Sequence, residues 1–174
     1  MSAFVYIIQS LLTLALFVVL ARLFLQWARA DFRNPICQAI VRLTNPLIVP
    51  LRRVLPPIGK VDTASVVAVI LVAIVEVVIV TTLEGAPLEP LFVLRAAALE
   101  IARTALWLYF YAIFLYALLS MIAPGGYTPL HSLLASLCEP VLKPFRRFIP
   151  PLAGIDLSPL WAGILIQAIL ILLR

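Results

Sequence analysis

The sequence predicts an all-α membrane protein: four transmembrane helices forming two parallel repeats, each a helix, an interfacial proline-rich loop and a second helix. Three observations carry that reading. Apolar residues make up 64% of the 174-residue chain and charged residues only 12%, against roughly 25% charged in soluble domains. Four long apolar stretches alternate with short polar segments. One pattern also occurs twice at a single register: Pro46, Pro50, Arg52, Arg53, Pro56, Pro57 and Asp62 return, ungapped, as Pro140, Pro144, Arg146, Arg147, Pro150, Pro151 and Asp156, each 94 residues on. Self-similarity at a fixed offset marks a duplicated structural unit.

The first repeat occupies residues 1–83, an outer connecting segment residues 84–103, and the second repeat residues 104–174. The first span covers residues 4–25. No charged side chain precedes Arg22, so the basic start of a cleavable signal is missing and the stretch reads as a retained helix. The interfacial loop, residues 29–62, opens with Asn34-Pro35, read as an N-cap and first helical residue. A short helix is expected to run to about Leu43, with a second starting at Pro46. Pro50 should break that one, because proline lacks an N–H and clashes with the preceding turn. The pair Pro56-Pro57 should force extended backbone. Asp62 then stands at the start of the second span, residues 63–83, where a helix dipole favours a carboxylate.

The third span covers residues 103–122 and is expected to stop at Pro124-Gly125-Gly126. The second loop, residues 123–156, repeats the first: a helix from Pro129 to Leu137, a second helix starting at Pro140 and broken at Pro144, Pro150-Pro151 extended, and Asp156 at the next helix start. Ser158-Pro159 is expected to cap the fourth span, residues 157–173.

Arginine asymmetry orients the spans. The first loop holds Arg29, Arg33, Arg42, Arg52, Arg53 and Lys60, and the second holds Lys143, Arg146 and Arg147. The segment between spans two and three carries Glu84, Glu89 and Glu100 against Arg95 and Arg103. The positive-inside rule then places both loops in the cytoplasm and both termini outside. The net charge of +5 is accounted for by topology and anionic headgroups, without nucleic acid.

The paired arginines have two readings. Both can anchor the loops to lipid phosphate, or one of each pair can bridge to Asp62 or Asp156 and close the loop onto the next helix; a guanidinium suits either role. Glu76 is an intramembrane carboxylate, and such groups are functional candidates by default. Its alternatives are snorkelling to the outer interface or pairing with Arg95 or Arg103. Gln9, Thr13, Ser120 and Gln167 read as interhelical hydrogen-bond partners. Cys37 and Cys138 do not align between the repeats, so neither a disulfide nor a metal framework is supported. His131 is the only histidine, and no catalytic constellation can be assembled.

The motif resembles that of the YggT family of small integral membrane proteins. The residues that carry the resemblance are Asn45-Pro46-Leu47, Pro50, Arg52-Arg53, Pro56-Pro57 and Asp62, and again Glu139-Pro140-Val141, Pro144, Arg146-Arg147, Pro150-Pro151 and Asp156-Leu157-Ser158-Pro159. The first copy departs at Thr63-Ala64-Ser65, where the second has Leu-Ser-Pro. The resemblance implies a multi-pass protein of the bacterial inner membrane, or a plastid relative, with no catalytic residues and no cofactor. It implies a role in ion (potassium) and osmotic homeostasis. The alternative it carries is an assembly or scaffold factor for other membrane complexes, of cell division or of cytochrome haem attachment. Four helices leave little room for a conducting path, so conduction would need a homo-oligomer or a membrane-protein partner.

Overall fold

The computed structural model describes residues 2–56, 62–122, 128–148 and 156–173. Among them are six α-helices and no strand: α1 (Ala3–Trp27), α2 (Pro35–Val54), α3 (Thr63–Leu83), α4 (Pro90–Ile122), α5 (Pro129–Phe148) and α6 (Ser158–Leu172). Three of them, α1, α3 and α4, are long and apolar enough to cross a membrane. The shorter α6 is equally apolar, but its 15 residues rise about 22 Å against a hydrocarbon core of about 30 Å.

The helix ends follow from local chemistry. Asn34 caps α2 by accepting the Ile36 N–H at 2.9 Å, and Thr128 caps α5 by accepting the His131 N–H at 3.2 Å, with proline first in each helix. At the end of α3, Gly85 adopts φ +73°; its N–H reaches the Thr82 carbonyl and that of Ala86 reaches Thr81, a Schellman closure that needs a left-handed residue. At the end of α1 the same closure, Arg29 N–H to Gln26 and Ala30 N–H to Leu25, is built on a non-glycine, Arg29 at φ 52°.

Three expectations are corrected. First, α2 and α5 each run unbroken for 20 residues through both internal prolines. Pro46 and Pro50 are four residues apart and both exposed, as are Pro140 and Pro144. The carbonyls that lose their donors, four residues earlier in each case, therefore share one outward strip where headgroups or water can reach them, while Cys37, Thr44 and Ile48, or Leu134, Cys138 and Leu142, stay buried on the other side. Second, the helix of the third span begins at Pro90, well before residue 103. Ala96, Ala97, Ala98 and Leu99 are strong helix formers, and hydropathy locates only the apolar part of a helix. Third, α6 starts at Ser158, with Leu157 in the cap position. The expected breaker Pro124-Gly125-Gly126 and the prolines Pro57, Pro150 and Pro151 lie outside the described residues.

The chain packs as two compact units. The first comprises residues 1–23 and 40–105. Its interior holds Leu16, Leu20 and Ile48 with the small residues Ala64, Ala68 and Ala73 of α3, which permit close helix approach. Asp62, Ser65, Val69, Ala73 and Glu76 form one buried stripe along α3. The second comprises residues 24–39 and 106–174. There α5 packs against α6, and Ile113, Leu134, Cys138, Leu142, Ala162 and Ile166 are buried.

Candidate functional site

In the first unit the repeat motif closes into a polar cluster. Arg52, in the last turn of α2, pairs with Asp62 through Nη2 and again through Nε at 3.3 Å. The Ser65 hydroxyl, one turn into α3, donates to Asp62 Oδ2 at 2.6 Å. The Asp62 side chain is 5% exposed and that of Arg52 47%. Burial pushes the Asp62 carboxyl up, but the hydrogen bonds from Arg52 and Ser65, with Arg22 nearby, outweigh it and hold the group below the usual carboxylate range. The hydrogen bond to Asp62 in turn holds Arg52 above its ordinary value.

The second unit repeats the pair with different surroundings. Arg146 Nε donates to Asp156 at 2.8 Å, its Nη1 to Glu139 at 2.8 Å, and its Nη2 to the Tyr116 hydroxyl at 3.4 Å. Asp156 also accepts the Ser158 N–H at 2.9 Å, a local turn leading into α6. Its side chain is 37% exposed. Burial raises the Asp156 carboxyl, yet Ser158 and Arg146 together draw it below its ordinary value. Of the two readings of the arginine pairs, the first member of each, Arg52 and Arg146, makes the ion pair, while Arg53 and Arg147 are exposed.

Sequence reading gave no role to Arg22, Thr44 or Tyr116, which belong to these clusters. Arg22 of α1 is 4% exposed, and its Nη1 donates to Thr44 Oγ1 at 2.7 Å, Asn45 Oδ1 at 3.0 Å and the Val41 carbonyl at 3.4 Å. At the repeat offset Arg22 corresponds to Tyr116 and Asn45 to Glu139. Both partners of the second cluster therefore stand where the first has Arg22 and its acceptor. The signal was an arginine inside an otherwise apolar span; charge counting had assigned it to no loop.

The remaining candidates are placed as follows. Glu76 is 2% exposed; its Oε1 accepts the Thr13 hydroxyl at 2.5 Å, and its Oε2 is buried with no hydrogen-bond partner among the described residues. Snorkelling is thus corrected, and Thr13 serves as the interhelical partner expected of it. Within the second unit, Asn34 Nδ2 donates to the Pro129 carbonyl at 2.6 Å and to Ser132 Oγ at 3.3 Å. His131 lies with its ring centroid 5.5 Å from that of Tyr116. Cys37 and Cys138 are free and buried; burial raises both thiols, Cys138 to about 12. Among the described residues no group of three or more His, Cys, Asp or Glu could hold a metal. A mostly apolar groove of about 710 Å³ runs along α4 and α6, lined by Phe110, Phe114, Met121, Leu160 and Ile164, with Gln167 and Asp156 as polar points.

Comparison with known proteins agrees with the motif. The family model described as CCB3/YggT matches residues 1–83 and 96–174. The chain is 41% identical to the uncharacterized protein PA0392 of Pseudomonas aeruginosa over 97% of this chain and 86% of that one. It is 34% identical to the uncharacterized protein YggT of Escherichia coli K12, over 97% and 88%. It is also 54% identical to the chloroplastic YlmG homolog protein 2 of Arabidopsis thaliana, over 20% of this chain and 14% of that one. No solved structure matches.

Proposed function

The chain belongs to the CCB3/YggT family, and from that premise we propose that it is a non-enzymatic protein of the bacterial inner membrane that contributes to ion (potassium) and osmotic homeostasis. In this reading four spans form two parallel repeats, both termini are periplasmic, and both Arg-Arg segments face the cytoplasm. The Arg52–Asp62 and Arg146–Asp156 pairs fix α2 and α5 to the helices that follow, and exposed Arg53 and Arg147 meet the phosphates of anionic lipids. The observation that carries the ion-handling role is Glu76: a carboxylate closed off from solvent inside a 21-residue apolar helix. Such a group is costly in a membrane and is kept where an ion or proton is handled.

Flux supplies the test. Purified protein in potassium-loaded vesicles should release the ion faster than empty vesicles, and Glu76→Gln should remove the difference. Identical release from wild type, variant and protein-free vesicles defeats direct ion handling. The assembly-factor reading is favoured by one feature, the groove along α4 and α6, whose lining of Phe110, Phe114 and Leu160 suits a partner helix. Silence in vesicles, together with an osmotic growth defect in cells lacking the gene, would favour that second reading.

A further inference from the structure

We propose that Glu76 carries a proton, so that the Glu76–Thr13 pair is an intramembrane proton-binding site. The inference rests on the reading of Glu76 as the ion-handling carboxylate, and it names the ligand.

Unmet hydrogen bonding points to it. An ionised carboxylate is an acceptor only, with about four lone-pair sites to satisfy. At Glu76 Thr13 fills one, and Oε2 is closed off without a donor among the described residues. Burying a charge so poorly solvated costs more than neutralising it. Among the described residues, the groups that act on Glu76 bring it no cation. On α1 the facing group is Thr13, a neutral hydroxyl. On α4 the charged group acting on Glu76 is Glu100, of the same sign, with Arg103 one turn further along that helix. On α3 the other carboxylate of the buried stripe, Asp62, is engaged by Arg52 and Ser65.

Donor count separates a proton from a metal cation. Hard cations take about six to eight oxygen ligands. Glu76 and Thr13 supply three side-chain oxygens between them, and a proton needs only one. The Thr13 hydroxyl both donates and accepts. It can donate to the carboxylate or accept from the carboxylic acid, so the contact survives loading and unloading of the proton.

The test reads protonation directly on the full chain in lipid nanodiscs. Dicyclohexylcarbodiimide, an apolar reagent, modifies protonated carboxyls in apolar surroundings. At pH 7 it should modify Glu76. The adduct should be lost in Glu76→Gln. In infrared spectra a protonated-carboxyl C=O band at pH 7 should likewise disappear in that variant. Should the variant not fold, the wild-type adduct and band still decide. An unmodified Glu76 without the infrared band overturns the proposal. A modified Glu76 in vesicles that pass no potassium upholds the proton site and sinks direct ion handling; potassium release with an unmodified, ionised Glu76 does the reverse.

Discussion

Removing Asp62 and removing Asp156 should have unequal effects, although the sequence motif treats them alike. Asp62→Ala strands Arg52 and leaves the buried Ser65 hydroxyl without its acceptor. Breaking a buried ion pair costs about 3–5 kcal/mol, and an orphaned buried hydroxyl adds about 1–3. Arg52, however, is 47% exposed, so water solvates much of the stranded charge. A net loss of roughly 2–4 kcal/mol follows. The Asp156 pair is over a third exposed on both sides, and Glu139 keeps Arg146 paired after the substitution. Asp156→Ala should therefore cost about 0–1 kcal/mol. At ~2–4 °C per kcal/mol for a chain of this size, Asp62→Ala should lower the midpoint by about 4–16 °C, and Asp156→Ala by no more than about 4 °C. The buried thiols of Cys37 and Cys138 provide the assay. Both are held protonated by burial, so a thiol-reactive fluorophore should report them only as the protein unfolds. A double variant, Arg52→Asp with Asp62→Arg, should recover part of the loss; an arginine at a helix start opposes the dipole and prevents full recovery. Equal losses at Asp62 and Asp156, or a neutral Asp62→Ala, would refute the reasoning from burial.

Two further outcomes follow from the same structure. At the helix ends, Gly85→Ala should destabilise by about 1 kcal/mol although open space surrounds the site, since the left-handed φ penalises a Cβ; Arg29→Gly should stabilise by up to about 1 kcal/mol, and opposite shifts of the thermal midpoint would check both. On acidification, Asp62 and Asp156 have folded-state values depressed below the ordinary one, so their contribution is complete above about pH 4 and is lost as pH falls through the lower folded values. The midpoint should then drop as pH falls below about 4, and Asp62→Ala should flatten most of that drop.

The sequence was most legible where chemistry is local. The Asn34-Pro35 and Thr128-Pro129 starts, the limits of α3 and the link from an arginine to the next helix start all depend on residues within about a dozen positions of one another. Helical continuity through Pro46 and Pro50 was not legible. A proline's cost depends on whether the carbonyl it orphans is buried, and that is decided by which face of α2 the rest of the chain covers. Nor did a window of hydropathy give the true start of α4, because it measures fitness for lipid, while a run of alanine and leucine continues a helix past its most apolar stretch.

The clusters show why a repeat motif underdetermines its site. The motif fixes Arg52 with Asp62 and Arg146 with Asp156, but the residues that set the charge around each pair come from outside it. Arg22 and Asn45 in the first repeat become Tyr116 and Glu139 in the second. The first cluster thus has two cations against one carboxylate, and the second one cation against two. Each exchange keeps a polar bridge while reversing the local excess of charge. Identical motif residues therefore sit in opposite electrostatic settings, with Asp62 closed off and Asp156 within reach of solvent. The pair is common to both copies of the motif, and the neighbours outside it set the two apart.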